Sequence, residues 1–178
     1  MSRMTMIPES EASGDVAEVY GAVKKGLGKI PNAYATIASH SPKALQAMLG
    51  ADKALAGGSL SKKDQETIKL VISEVAGCDY CVAAHTLVGK MAGLSQDEMR
   101  RARAGSKTGD DQRNALVSFV RTLATSSGTL GQAEYQAIVD AGYSDAQIVD
   151  ICLAIAVITF TNAFNRINDT YVDFPKVD

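Results

Sequence analysis

Two thiols and an imidazole share one short stretch of this chain: Cys78, Cys81 and His85, within Gly77-Cys78-Asp79-Tyr80-Cys81-Val82-Ala83-Ala84-His85. In a helix that begins near Cys78, positions i, i+3 and i+7 fall on one face. A thiol at such a start faces free N–H groups and the positive end of the helix dipole, which favours thiolate. His85, one turn beyond Cys81, can take or give a proton there. Two thiols at this spacing can close a disulfide with little backbone movement. These are the requirements of a dithiol redox or peroxide-reducing centre. Glu66 lies on the preceding predicted helix, twelve residues before Cys78. Facing helices would bring its carboxylate over the Cys–His face, where it would orient the imidazole.

The same residues admit a zinc site of Cys78, Cys81, His85 and either Glu66 or His40. The usual second Cys/His pair is missing, however, so no metal is expected. A thioredoxin-like reading lacks its βαβ frame. Cys152 sits among Ile151, Leu153, Ile155 and Val157 and is expected to be an inert core thiol. His40 reads as part of a helix junction, and Arg100, Arg101 and Arg103 as a solvated helix face. Asn162, Asn165, Arg166 and Asn168 read as the solvated end of the last helix.

The elements that must position this chemistry are helical. Ser41-Pro42 opens one helix, and Gly57-Gly58 stops it. Ser61 opens the next, whose Ile68, Val71, Ile72 and Val75 mark an apolar face, and Gly77 breaks it. The Cys78 helix runs to Gly93. Ser95 with Glu98, and Ser144 with Gln147, have capping-box spacing. A helix through Leu116, Phe119, Val120 and Leu123 and a short one ending at Gly142 lie between them. The last segment, from Asp145 to about Tyr171, is apolar on every side in its middle, so it is expected in the core or at a subunit interface. Strand signals are almost absent. The expectation is all-α, with about seven or eight helices. Residues 1–14 are expected to be a loosely ordered segment and 15–178 a single domain.

Composition narrows the function classes. The 178 residues carry 18 basic and 20 acidic side chains and no Trp, which argues against a nucleic-acid binder. Three Cys cannot build a disulfide framework. The apolar run Ile151–Phe160 is too short to span a bilayer, so no membrane is expected. The opening residues carry Glu9, Glu11 and Asp15 without a long apolar run, so a cytoplasmic location is the expectation.

Glu66, Cys78-x-x-Cys81 and His85, together with Gly93-Leu94-Ser95 and Asn165-Arg166, resemble the alkylhydroperoxidase D-like (AhpD-like) core of the carboxymuconolactone decarboxylase superfamily. The resemblance covers roughly residues 30 to 170. It implies an AhpD-like helical bundle and a thiol peroxidase that needs no cofactor. It implies that Cys81 attacks a hydroperoxide and that Cys78 donates a proton and then resolves the sulfenic acid as a disulfide. His85 and Glu66 would relay protons, and an external dithiol would reduce the disulfide. It also implies a trimer or hexamer, and we expect a homo-oligomer. Some family members carry a His where this chain has Tyr80, so Tyr80 is expected in the wall of the site. The decarboxylase branch does not use the Cys pair. The alternatives are therefore a decarboxylase-like enzyme on the same scaffold and a non-catalytic zinc-stabilised or interaction protein.

Overall fold

A computed structural model describes residues 2–177. Among them nine α-helices and no strands occur: α1 (Gly14–Leu27), α2 (Asn32–His40), α3 (Pro42–Ala56), α4 (Lys62–Ala76), α5 (Asp79–Met91), α6 (Gln96–Ala104), α7 (Asp111–Thr125), α8 (Gln132–Asp140) and α9 (Asp145–Asn168). The fold is the expected all-α bundle with a slightly higher helix count. The added helices are at the N-terminal end, where α1 and α2 precede the seven that begin at Pro42.

The helix caps behave as their residue types require. Ser41 accepts the Ala44 N–H, with Pro42 in the first helical turn. Ser61 accepts the Asp64 N–H. Both capping boxes form, Ser95 with Glu98 and Ser144 with Gln147. Gly77 ends α4 with φ +66°, a conformation costly for any residue with a Cβ. The Cys78 N–H then closes back on the Ser73 carbonyl at 3.0 Å. One left-handed residue thus folds α5 back along α4 and delivers Cys78 at the start of α5.

The core is centred on α4, which packs against α5, α6, α7 and α9. Every residue from Gln65 to Ser73 is buried, so the expectation of one apolar face is too narrow. Glu66, Lys69 and Ser73 are carried into the interior with Ile68, Leu70 and Val71. By contrast, α9 is buried along one side only, through Ile151, Ala154 and Ile158. Its 24 residues make a helix long and apolar enough to cross a membrane by length and composition, longer than the ten-residue run suggests. Its inner side nevertheless carries buried Asn162, Asn165 and Asn168.

The N-terminal stretch is mostly non-helical, with one 3-10 turn at Glu9–Glu11. It is joined to the bundle by hydrogen bonds. The Arg3 N–H reaches the Asn168 carbonyl at 2.8 Å, and the Ile7 N–H reaches Ser39 Oγ at 2.8 Å. The Tyr20 hydroxyl donates to the Ile7 carbonyl at 2.8 Å.

Candidate active site

The α4–α5 hairpin sets the site by simple arithmetic. Glu66 lies eleven residues before the Gly77 turn and His85 eight after it. At about 1.5 Å per residue, they stand within one helical turn of the same height on adjacent helices, a gap the two side chains span. Glu66 Oε2 lies 2.8 Å from His85 Nδ1. The carboxylate is buried and the imidazole half-buried. With Glu66 ionised, Nδ1 carries the proton toward it, and Nε2 keeps its lone pair for other work.

Both Cys78 and Cys81 are free and buried. Their sulfurs lie 2.8 Å apart, within easy approach of a disulfide bond of about 2.05 Å. Cys78 is the N-cap of α5, and Cys81 stands on its first turn, one turn before His85. Cys78 is held below the ordinary thiol range. Its hydrogen bond with the Cys81 sulfur outweighs burial, and the Cys81 backbone N–H helps. Cys81 is pushed well up, by its hydrogen bond with Cys78 and then by burial, although Asn165 and Thr161 pull the other way. The pair therefore holds one proton tightly, and its first negative charge rests on Cys78.

Four side chains to which the sequence alone assigns no place here complete the site. Asn165 Nδ2 donates to Cys81 Sγ at 3.3 Å from α9. The Asn cluster thus does more than end a helix. Lys69 Nζ lies 3.6 Å from Glu66 Oε1 and 3.0 Å from Asp52 Oδ1. Burial pushes Glu66 up, but His85 and Lys69 outweigh it and hold the carboxyl below its usual range. Burial also works against the Lys69 charge, yet Glu66 and Asp52 hold its ammonium above the ordinary value. Tyr34 of α2 feels the charges of Asp52, Cys81 and Glu66. Burial first, then those charges, keep its phenol protonated.

Tyr80 is placed differently from expectation. Its hydroxyl donates to Asp173 Oδ1 at 2.7 Å and accepts the Ala33 N–H at 3.1 Å. Its ring meets Phe174 edge to face, with centroids 5.4 Å apart. A residue next to Cys81 points about 100° away from it around the helix, toward α2 and the C-terminal strap. The Tyr80 hydroxyl is thus committed to those partners rather than to the thiols. Cys152 is also a correction, because it is exposed on α9 rather than buried in the core. His40 Nε2 contacts the Thr5 carbonyl at 2.9 Å, in keeping with a helix junction. Among the described residues, no three His, Cys, Asp or Glu side chains are arranged to hold a metal ion.

Residues 41–116 match the model of the carboxymuconolactone decarboxylase family. No curated protein matches the chain by sequence. The fold is similar to the alkylhydroperoxidase AhpD core of an uncharacterized peroxidase-related protein from Ralstonia eutropha JMP134. That similarity has a TM-score of 0.83 and 21% identity, over 97% of this chain and 92% of that one. A cysteine-to-alanine variant of the debrominase Bmp8, in complex with 2,3,4-tribromopyrrole, aligns with a TM-score of 0.80 and 20% identity, over 97% and 92% of the two chains. A protein of unknown function from Agrobacterium tumefaciens, proposed as an antioxidant defence AhpD, aligns with a TM-score of 0.69 and 23% identity, over 76% and 94%.

Proposed function

From the match of residues 41–116 to the carboxymuconolactone decarboxylase family model and the similarity of the fold to AhpD-like structures, we propose that the chain is an AhpD-like member of that superfamily and reduces hydroperoxides through the Cys78–Cys81 pair. The observation that carries this reading is two free sulfurs 2.8 Å apart, one helical turn from a Glu66–His85 hydrogen bond. Cys78, the lower thiol, accepts the Cys81 proton. The Cys81 thiolate, steadied by the Asn165 amide, attacks one peroxide oxygen. The O–O bond breaks, giving Cys81 sulfenic acid and an alcohol once a proton reaches the leaving oxygen. Cys78 then attacks the sulfenic sulfur, forming the disulfide and releasing water. His85, oriented by Glu66, passes the protons. With the proton that Cys78 had already given up returned by way of His85, the sum is two thiols and ROOH giving a disulfide, ROH and water. An external dithiol, by exchange, restores the reduced pair.

The test is thiol counting and sulfenic-acid trapping after one equivalent of cumene hydroperoxide. Wild type is expected to lose two thiols. Cys78→Ser is expected to hold a trappable sulfenic acid at Cys81, and Cys81→Ser to hold none. Unchanged thiols in wild type would overturn the reading. Turnover of a γ-lactone acid by the double Cys→Ser variant would favour the decarboxylase-like alternative. A brominated pyrrole belongs in the same assay, since the debrominase shares this fold.

Self-association is the second part of the proposal. Val149, Cys152, Ala156, Phe160, Ala163 and Ile167 are exposed on one stripe of α9, at spacings of three or four residues. The stripe complements itself when two copies run antiparallel. Ala156 then faces Phe160 of the second copy, and Cys152 faces its Ala163. A parallel pair would instead oppose like charges at Asp145 and at Arg166. This two-fold step is the unit from which a hexamer would be built.

A further inference from the structure

Lys69 is a lysine in the middle of the central helix, 9% exposed, and nothing in its sequence context marks it for a role. It joins a chain of alternating charge across three helices. Asp52 of α3 lies 3.0 Å from Lys69 Nζ, Lys69 lies 3.6 Å from Glu66 Oε1, and Glu66 Oε2 lies 2.8 Å from His85 Nδ1. Each Glu66 oxygen is therefore engaged by a different partner. The carboxylate cannot turn about its terminal bond without giving up one of them.

The geometry points to Lys69 as a positioning residue of the thiol site, one that locks the Glu66 carboxylate so that His85 presents Nε2 toward the cysteine pair. Asp52, more exposed than the rest, anchors the ammonium from the outside. The inference rests on the reading of His85 as the proton carrier of the Cys pair. A buried carboxylate with one hydrogen bond pays a desolvation cost that favours its neutral form. The neutral form would no longer fix the imidazole tautomer. The ammonium opposite Oε1 removes that escape.

Other groups facing Glu66 leave this role to Lys69. From α2 comes Tyr34, a phenol kept protonated. From α3 comes Asp52, an anion held by Lys69. From α5 come His85 and the two thiols. From α9 come neutral amides, with Asn162 accepting from Ser73 of α4 at 3.1 Å and Asn165 donating to Cys81, and the Arg166 guanidinium, whose charge acts on Cys78. Lys69 is the cation among them that touches the carboxylate directly.

The test measures alkylation of Cys78 and Cys81 by iodoacetamide against pH, site by site by mass spectrometry, in the full chain. Lys69→Met keeps the length and volume of the side chain and removes the charge. It is expected to move the acid limb of the profile to higher pH by about one unit, a tenfold loss of rate on that limb. Lys69→Arg is expected to restore the wild-type limb, and Asp52→Asn to give a smaller shift of the same sign. A merely structural lysine would change unfolding midpoints and leave the limb in place. An unmoved limb in folded Lys69→Met, checked by circular dichroism, overturns the inference. If Lys69→Met does not fold, an unmoved limb in Asp52→Asn overturns it instead. Alkylation needs no peroxide. A shifted limb in a protein inert to hydroperoxide therefore keeps the positioning role and removes the peroxidase reading.

Discussion

Glu66 Oε2 and His85 Nδ1 stand 2.8 Å apart across the α4–α5 hairpin, although 19 residues separate them in the chain. Glycine at position 77 makes the meeting possible, because its left-handed backbone reverses the chain in one step. Replacing Glu66 with Gln keeps the shape and removes the charge. Lys69 is then buried with only Asp52 to answer it. Breaking a buried pair in this way costs on the order of 3 kcal/mol. Urea unfolding is expected to show that loss, and iodoacetamide to show slower alkylation of the Cys pair at neutral pH.

Acid should expose the same pair. Glu66 is held below its usual range in the folded chain, so its contribution is complete above the unfolded value of about 4.3. It is lost as pH falls through the lower folded value. The stability excess of wild type over Glu66→Gln is therefore expected to stay level from about pH 7 to about pH 5 and to shrink toward about pH 3. Urea midpoints at these three pH values check the sign. An excess that grows on acidification contradicts the ion pair.

Asn165 is the donor that α9 lends to Cys81, at 3.3 Å. Asn165→Ala removes it and leaves the thiolate less supported. Alkylation at Cys81 is expected to slow by about tenfold, the size of one hydrogen bond to a charged group. Cys78, which Asn165 does not touch, is expected to change less. Equal slowing at both sulfurs would count against the assignment.

Tyr80 gives the opposite pattern. Its hydroxyl ties α5 to Ala33 and Asp173, so Tyr80→Phe should cost about 1–2 kcal/mol of stability. The thiol reaction is expected to stay within about twofold of wild type, since the lost bonds lie away from the sulfurs. A large loss of peroxide-driven thiol oxidation in a folded Tyr80→Phe chain would return Tyr80 to the site.

The α9 stripe predicts a covalent reporter. Ala163→Cys places a thiol opposite Cys152 of a second, antiparallel copy. Mild oxidation is expected to yield a disulfide-linked dimer in Ala163→Cys and little in wild type. Phe160→Glu is expected to lower the mass seen by light scattering at micromolar concentration. Strong crosslinking of wild type through Cys152 alone would indicate a parallel pairing instead. A monomeric wild type would remove the interface.

Parts of this architecture are legible in the amino-acid order. The capping boxes at Ser95 and Ser144 depend on hydrogen bonds within four residues, and they form as their spacing predicts. The Cys78, Cys81 and His85 face depends only on helical spacing. Glu66 needs the added inference of a facing helix. Lys69 is not legible, because a lysine beside Glu66 in a polar-patterned helix reads as solvated. Its burial comes from α5, α6, α7 and α9 closing round α4. Asn165 leaves a weak signal, an amide on the core-facing spacing of Ile151, Ala154 and Ile158. In α9 the apolar residues run all round, so periodicity does not say which side Cys152 takes.

By itself the sequence determined the helices, their caps, and a thiol pair at a helix start followed by an imidazole. Each of these rests on sterics and hydrogen bonds between near neighbours, which spacing encodes directly. Only the tertiary structure decided that Lys69 and Asp52 extend the Glu66–His85 pair, that Asn165 reaches Cys81, and that Tyr80 turns away. Those outcomes depend on burial and on charges brought together from distant parts of the chain. Coulomb energy and desolvation are set by what surrounds a group, and for Lys69 that surrounding is built by helices drawn from most of the chain.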